Sequence, residues 1–217
     1  MYKTVVFDLD GTLLNTLTDL ADAGNRLCRK YGWPTHERQA YRYFVGNGIP
    51  KLVERLAPAD QRTPAVLEAA LADFKRDYGQ HLRDTTAPYP GIPEMLAKLK
   101  ANGVQLAVFS NKADALAKEV VKDYFGTQYF TIVRGQMTGV APKPAAEGTN
   151  ALLQALHADP ASTLYVGDSN VDVETAHNAN LPCCGAVWGF RTREELNAAG
   201  AEYLAENSDE LYGVIMK

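Results

Sequence analysis

Two aspartates, Asp8 and Asp10, end an apolar run and are followed at once by Gly11 and Thr12. The run Val5-Val6-Phe7 reads as a short buried strand. Asp-x-Asp-Gly at its end is the pattern of a central parallel strand whose carboxyl end opens into a site. Two residues apart on an extended segment, the carboxylates point to the same side. Held that close they repel, unless a cation or a shared proton intervenes. Asp-Gly is also a common hairpin turn, and this stretch alone leaves both readings open.

Three further polar clusters sit where buried segments end or helices begin: Ser110-Asn111-Lys112, Lys143, and Gly167-Asp168-Ser169-Asn170-Val171-Asp172. A hydroxyl at the head of a helix can cap it, or join the first backbone N–H groups in holding an anion. An isolated lysine is normally solvated surface. The four histidines, His36, His81, His157 and His177, are dispersed, and no pair has metal-ligand spacing. Neither a Gly-x-Ser-x-Gly elbow nor a Walker phosphate loop is present.

The elements that must position these clusters follow from periodicity. Leu17, Leu20, Ala21, Gly24 and Leu27 recur at helical spacing, with Gly32 as a stop. Shorter helices are expected over Arg38 to Phe44 and around Leu52, Val53 and Leu56, with Gly46-Asn47-Gly48 as a flexible break between them. Val66, Leu67, Ala70, Leu71, Phe74 and Tyr78 mark a long amphipathic helix after Pro64. From Tyr89-Pro90-Gly91 onward, strands at Val104 to Phe109, Tyr129 to Val133, Leu164 to Val166 and Pro182 to Val187 alternate with helices, and Tyr203 to Ala205 reads as an edge strand. Alternation of this kind predicts an α/β fold: a Rossmann-like parallel sheet with helices on both faces. The expected organisation is a core of residues 1–15 and 85–217 with an all-helical cap inserted at 16–84.

Composition sets the outer limits. The chain has 217 residues, 46% of them hydrophobic and 22% charged, and a net charge of -4. These are the values of an ordinary globular protein, with no support for a nucleic-acid or membrane partner. Three cysteines without framework spacing, Cys28, Cys183 and Cys184, argue against a disulfide scaffold. Met1-Tyr2-Lys3-Thr4 runs straight into the first strand, so a cytoplasmic protein is expected, as a monomer or homodimer.

Asp8-x-Asp10-Gly11-Thr12, Ser110-Asn111-Lys112, Lys143 and Gly167-Asp168-Ser169-Asn170-Val171-Asp172 resemble, in order and context, the four motifs of the haloacid dehalogenase-like hydrolases. The resemblance spans nearly the whole chain, helical insertion included. It implies that Asp8 attacks phosphorus to form an aspartyl-phosphate, and that Asp10 protonates the leaving oxygen and then deprotonates water. Members that hydrolyse carbon–halogen bonds without metal lack the second aspartate, so Asp10 favours phosphoryl transfer. The resemblance further implies Mg²⁺ held by the Asp8 side chain, the Asp10 backbone carbonyl and Asp168, with Asp172 in support. Hard carboxylate oxygens suit that ion. Ser110 would donate to a phosphoryl oxygen, and Lys143 would stabilise the transferred phosphate and orient Asp8. Thr12, Asn111 and Lys112 would shape the loop that receives the substrate.

Phe44-Val45-Gly46-Asn47-Gly48, followed by Lys51, Leu52 and Arg55, resembles the cap of bacterial phosphoglycolate phosphatases. A glycine-rich bend lets backbone N–H groups approach an anion, and Lys51 and Arg55 could pair with a substrate carboxylate. A helix–helix turn with surface charges is the plainer reading of the same residues. The implied partner is a small phosphorylated metabolite, 2-phosphoglycolate first. A sugar-phosphate mutase and a pyrophosphatase or nucleotidase on the same scaffold are the alternatives. Ala145-Ala146-Glu147-Gly148 departs from the Pro-Asp/Glu-Pro-type continuation that many relatives carry after the lysine.

Overall fold

The computed structural model describes residues Met1–Lys217. Two compact units make up the chain: Met1–Asn15 with Pro88–Lys217, and Thr16–Ala87.

The first unit contains a six-stranded sheet. In chain order its strands are β1 (Thr4–Phe7), β4 (Gln105–Ala113), β5 (Phe130–Gln136), β6 (Thr163–Gly167), β7 (Cys183–Ala186) and β8 (Tyr203–Ala205). Two short strands, β2 (Leu14–Asn15) and β3 (Ala87–Pro88), form a separate pair. The order across the large sheet is β5-β4-β1-β6-β7-β8, and every neighbouring pair is parallel. β1 is therefore central, with Val6 level with Ala107 on one side and Tyr165 on the other. All four residues of β1 are buried, as a strand covered on both faces requires.

Helices α5 (Ile92–Ala101), α6 (Asp114–Phe125), α7 (Ala146–Leu156), α8 (Asn170–Asn178), α9 (Arg193–Ala199) and α10 (Ser208–Met216) complete this unit. Because side chains alternate along a strand, Val6, Ala107 and Tyr165 share one face. There they meet Leu152, Leu153 and Leu156 of α7, Val173 and Ala176 of α8 and Leu196 of α9. Phe7 points to the other face. Its ring stacks edge-on against Phe130, which in turn meets Phe125 of α6. Asn180 has a φ of 56° two residues beyond the end of α8, a left-handed conformation that asparagine tolerates.

The second unit is helical: α1 (Leu17–Tyr31), α2 (Arg38–Phe44), α3 (Ile49–Leu56) and α4 (Pro64–Gln80). Its interior includes Leu20, Leu27, Tyr41, Leu52, Phe74 and Tyr78. The insertion was expected to end at residue 84, but it runs on to Ala87. The reason is a buried carboxylate on the first turn of α1. Asp19 accepts hydrogen bonds from the backbone N and hydroxyl of Thr85, at 2.9 and 2.5 Å, and from those of Thr86, at 2.9 and 2.7 Å. That clasp ties the returning segment to the start of the insertion.

Candidate active site

The polar clusters predicted from sequence gather outside the carboxyl ends of β1, β4 and β6, where strand order reverses and ligand sites of open α/β sheets collect. All belong to the first unit, so the geometry of these clusters is internal to it.

Asp8 follows β1 directly and is 7% exposed. Ser110, Asn111 and Lys112 were expected just past a strand. Instead β4 continues through them to Ala113, and the sheet register breaks there: from Phe109↔Arg134 to Ala113↔Gln136 is four steps on β4 against two on β5. A bulge bends its strand and re-aims side chains, and Lys112, inside this break, reaches Asp10. Asp168 follows β6, and Lys143 precedes α7.

The centre of the site is the Lys143 ammonium, whose side chain is 1% exposed. It stands 3.0 Å from Asp8 Oδ1 and 2.7 Å from Asp172 Oδ1. The contact with Asp8 is a charge pair without hydrogen-bond geometry, whereas Asp172 accepts a hydrogen bond. The ammonium also donates to Tyr165 Oη at 3.2 Å and to the Phe109 carbonyl at 3.4 Å. Burial alone would pull its pKa down, but Asp172 and Asp8 more than reverse that and hold it charged.

Asp172 is held on its other side. Its Oδ2 accepts from Ser169 Oγ at 2.7 Å and Ser169 N at 3.1 Å, in a capping box that starts α8. With three donors on two oxygens it is the most committed carboxylate of the site. Asp168 accepts from Thr12 Oγ1 at 3.1 Å and from Phe190 N at 2.7 Å. Gly11 and Gly189 press against it. A Cβ on Gly11, whose φ is +89°, would lie 2.3 Å from Asp168 Oδ2, and one on Gly189 would lie 2.2 Å from Asp168 Cβ.

Oxygens of Asp8, Asp168 and Asp172 all lie within 4.8 Å of one another. Three carboxylates against one ammonium leave a formal excess of two negative charges, which a divalent cation would balance. The donor set is all oxygen and so fits a hard ion such as Mg²⁺. Burial shows the same imbalance. It pushes the Asp8 carboxyl up to about 7 with Asp172 adding to it and Lys143 opposing, and it pushes Asp168 well above the usual carboxylate range.

Three of the predicted residues have partners within the protein. Asn111, expected to shape the loop that receives the substrate, pairs with both backbone groups of Lys143: its Oδ1 accepts from Lys143 N at 2.8 Å and its Nδ2 donates to Lys143 O at 3.2 Å. Lys51 is salt-bridged to Glu54 one turn along α3, at 2.8 Å. Arg55 donates to Asn47 Oδ1 at 2.8 Å and to the Phe44 carbonyl at 2.7 Å, and so braces the Gly46-Asn47-Gly48 bend. The two cations expected for a substrate carboxylate thus have partners within the insertion, because acidic and carbonyl acceptors lie one helical turn or one bend away.

Lys112, expected only to shape the loop, reaches Asp10. Sequence reasoning passed over two contributors: Tyr165 supports Lys143, and the loop Trp188-Gly189-Phe190 holds Asp168, with Trp188 Nε1 donating to the Thr12 carbonyl at 3.0 Å. Tyr165 reads as a core aromatic in a strand, and a loop glycine such as Gly189 carries no signal of its own in sequence.

A family model for haloacid dehalogenase-like hydrolases matches residues 5–186. The chain belongs to this family. Phosphoglycolate phosphatase of Thiobacillus denitrificans is 31% identical over 191 residues, 87% of this chain and 84% of the relative. That of Chromobacterium violaceum is 31% identical over 216 residues, covering 98% and 96%. A crystal structure from Lactobacillus delbrueckii subsp. bulgaricus, named by inference as a phosphoglycolate phosphatase, superimposes with a TM-score of 0.93 at 28% identity and covers 99% of this chain and 98% of that one. Within the family this chain falls in the phosphoglycolate phosphatase-like subgroup. No helix is long and apolar enough to cross a membrane.

Proposed function

We propose that the protein is a Mg²⁺-dependent phosphatase that hydrolyses a small phosphate monoester, 2-phosphoglycolate first, through a phosphorylated Asp8. The observation that carries this reading is the buried Lys143 ammonium, 3.0 Å from Asp8 and 2.7 Å from Asp172, with Asp168 beside them. The relatives named above support the choice of ester.

A phosphate monoester dianion repels an attacking carboxylate, so positive charge must be in place before the attack. Mg²⁺ bound by Asp8, the Asp10 backbone carbonyl and Asp168, with Asp172 in support, would supply charge neutralisation that Lys143 alone does not. Lys143 faces the transferred phosphoryl group and keeps Asp8 aimed. The Ser110 hydroxyl, which accepts from Lys112 N at 3.3 Å, keeps its own O–H to donate to a phosphoryl oxygen. An oxygen of Asp8 bonds to phosphorus as the bond to the leaving oxygen breaks, and the Asp10 carboxyl gives that oxygen its proton. Asp10, now a carboxylate, takes a proton from water as the water oxygen attacks phosphorus. The Asp8–phosphorus bond breaks and orthophosphate forms.

Gly46, Asn47 and Gly48 are offered as the substrate-facing part of the insertion, with Asn47 oriented by Arg55. Lys51 would reach a substrate carboxylate only by exchanging Glu54 for it. Phosphate release from 2-phosphoglycolate tests the whole reading. Asp8→Asn should lower it by about 10⁴-fold or more, and Asp8→Asn protein with wild-type turnover would overturn it. Orthophosphate as the sole phosphorus product, with no phosphate returned to a sugar in the presence of a bisphosphate activator, separates hydrolysis from a mutase.

A further inference from the structure

We infer that Lys112 is the positioning residue of the proton donor, holding the Asp10 carboxyl against the leaving oxygen. The inference rests on the reading of Asp10 as acid and base given above. Lys112 Nζ lies 3.1 Å from Asp10 Oδ1 and 3.3 Å from Oδ2, so a single ammonium sits in the fork of the carboxylate. Its side chain is 2% exposed and that of Asp10 is 14% exposed. A lysine is almost never buried to this extent unless paired, and here the Asp10 carboxylate is that partner. The geometry is also separate from that of the nucleophile. Lys143 serves Asp8 and Asp172, while Lys112 serves Asp10, so the two cations divide the two catalytic carboxylates between them.

The backbone explains why Lys112 reaches Asp10. It lies inside the register break of β4, where the strand turns its side chains away from the regular pleat. Its own N–H is tied back to Ser110 Oγ at 3.3 Å. The Lys112 stem is therefore fixed at its root by the loop that presents Ser110, and at its tip by Asp10. In the first step Asp10 loses its proton to the leaving oxygen as the phosphorus–oxygen bond breaks. The carboxylate that results is the form Lys112 pairs with, and it remains in place to accept the proton of the attacking water.

Proton donation matters in proportion to how poor the leaving group is. Loss of positioning should therefore be selective between esters, whereas a general loss of structure would not be. The experiment compares kcat/KM, which reports the step that expels the alcohol, for 2-phosphoglycolate and for p-nitrophenyl phosphate, in wild type, Lys112→Met, Lys112→Gln and Asp10→Asn. Both lysine variants should lose at least about tenfold more on the alkyl ester than on the aryl ester, a part of the ~10²–10⁴-fold that a placed acid supplies. The ratio of the two esters within one preparation does not depend on the folded fraction. Unchanged ratios in both lysine variants, with a shifted ratio in Asp10→Asn, would overturn the role of Lys112 and leave Asp10 as the acid. An unchanged ratio in Asp10→Asn would overturn the acid reading itself, and the inference with it.

Discussion

The side-chain amide of Asn111 bridges both backbone groups of Lys143, accepting at 2.8 Å and donating at 3.2 Å across 32 residues of chain. The link joins the β4 bulge to the segment that carries the buried ammonium. Asn111→Ala should leave Lys143 in the chain but loosen its aim. A displacement of an ångström in such a group costs about 10²-fold in rate. The expected outcome is a fall in kcat of that order with the melting temperature lowered by only a few degrees, measured by steady-state kinetics and calorimetry.

Asp8 carries a pH signature in the metal-free protein. Burial raises its pKa from 3.8 to about 7, so the folded state binds this proton more tightly than the unfolded state does. The stability that follows is fully present below pH 3.8 and is lost as pH rises to about 7. Asp8→Asn, which cannot ionise, should gain on wild type by up to ~1.4 kcal/mol per pH unit across that window and hold a constant advantage above it. Urea unfolding in chelator at several pH values reads the difference. Parallel curves for the two proteins would refute the shift.

Gly189 has no positive φ, so replacing it tests sterics alone. A Cβ there would lie 2.2 Å from Asp168 Cβ and 2.5 Å from the Gly11 carbonyl. Gly189→Ala should push Asp168 off its bond to Phe190 N and weaken Mg²⁺ binding by about 10–100-fold, the range for lost support of a metal ligand. Titration calorimetry with Mg²⁺ checks this, and an unaltered affinity would mean that the loop yields instead.

Asp19 clasps Thr85 and Thr86 by accepting from four of their donors in a buried setting. Asp19→Ala leaves two backbone N–H groups without their acceptor, at a cost of about 3 kcal/mol. Hydrogen exchange should quicken at Thr85 and Thr86 and in the first turn of α1, while β1 and β6 keep their protection.

The sheet was legible because buried parallel strands are short apolar runs, as Val5 to Phe7 and Leu164 to Val166 are, alternating with helical segments. The four motif clusters were legible because each sits at an element boundary, where backbone groups are exposed and side chains can meet. Asp8 and Asp168 follow the ends of β1 and β6 and Lys143 precedes α7, and the insertion ends three residues beyond the expected 84, at Ala87, held by a carboxylate on its own first turn.

Sequence by itself determined which residue types stand at the strand ends, because hydrophobic period and turn chemistry are local properties. Tertiary structure alone decided which charge pairs with which. Lys112 and Lys143 look alike in sequence, yet one enters the fork of Asp10 and the other stands between Asp8 and Asp172. The bulge in β4 and the return of the chain ahead of α7 set those distances. Partner choice among buried charges depends on separations of a few ångströms between residues tens to more than a hundred positions apart, which no local pattern encodes.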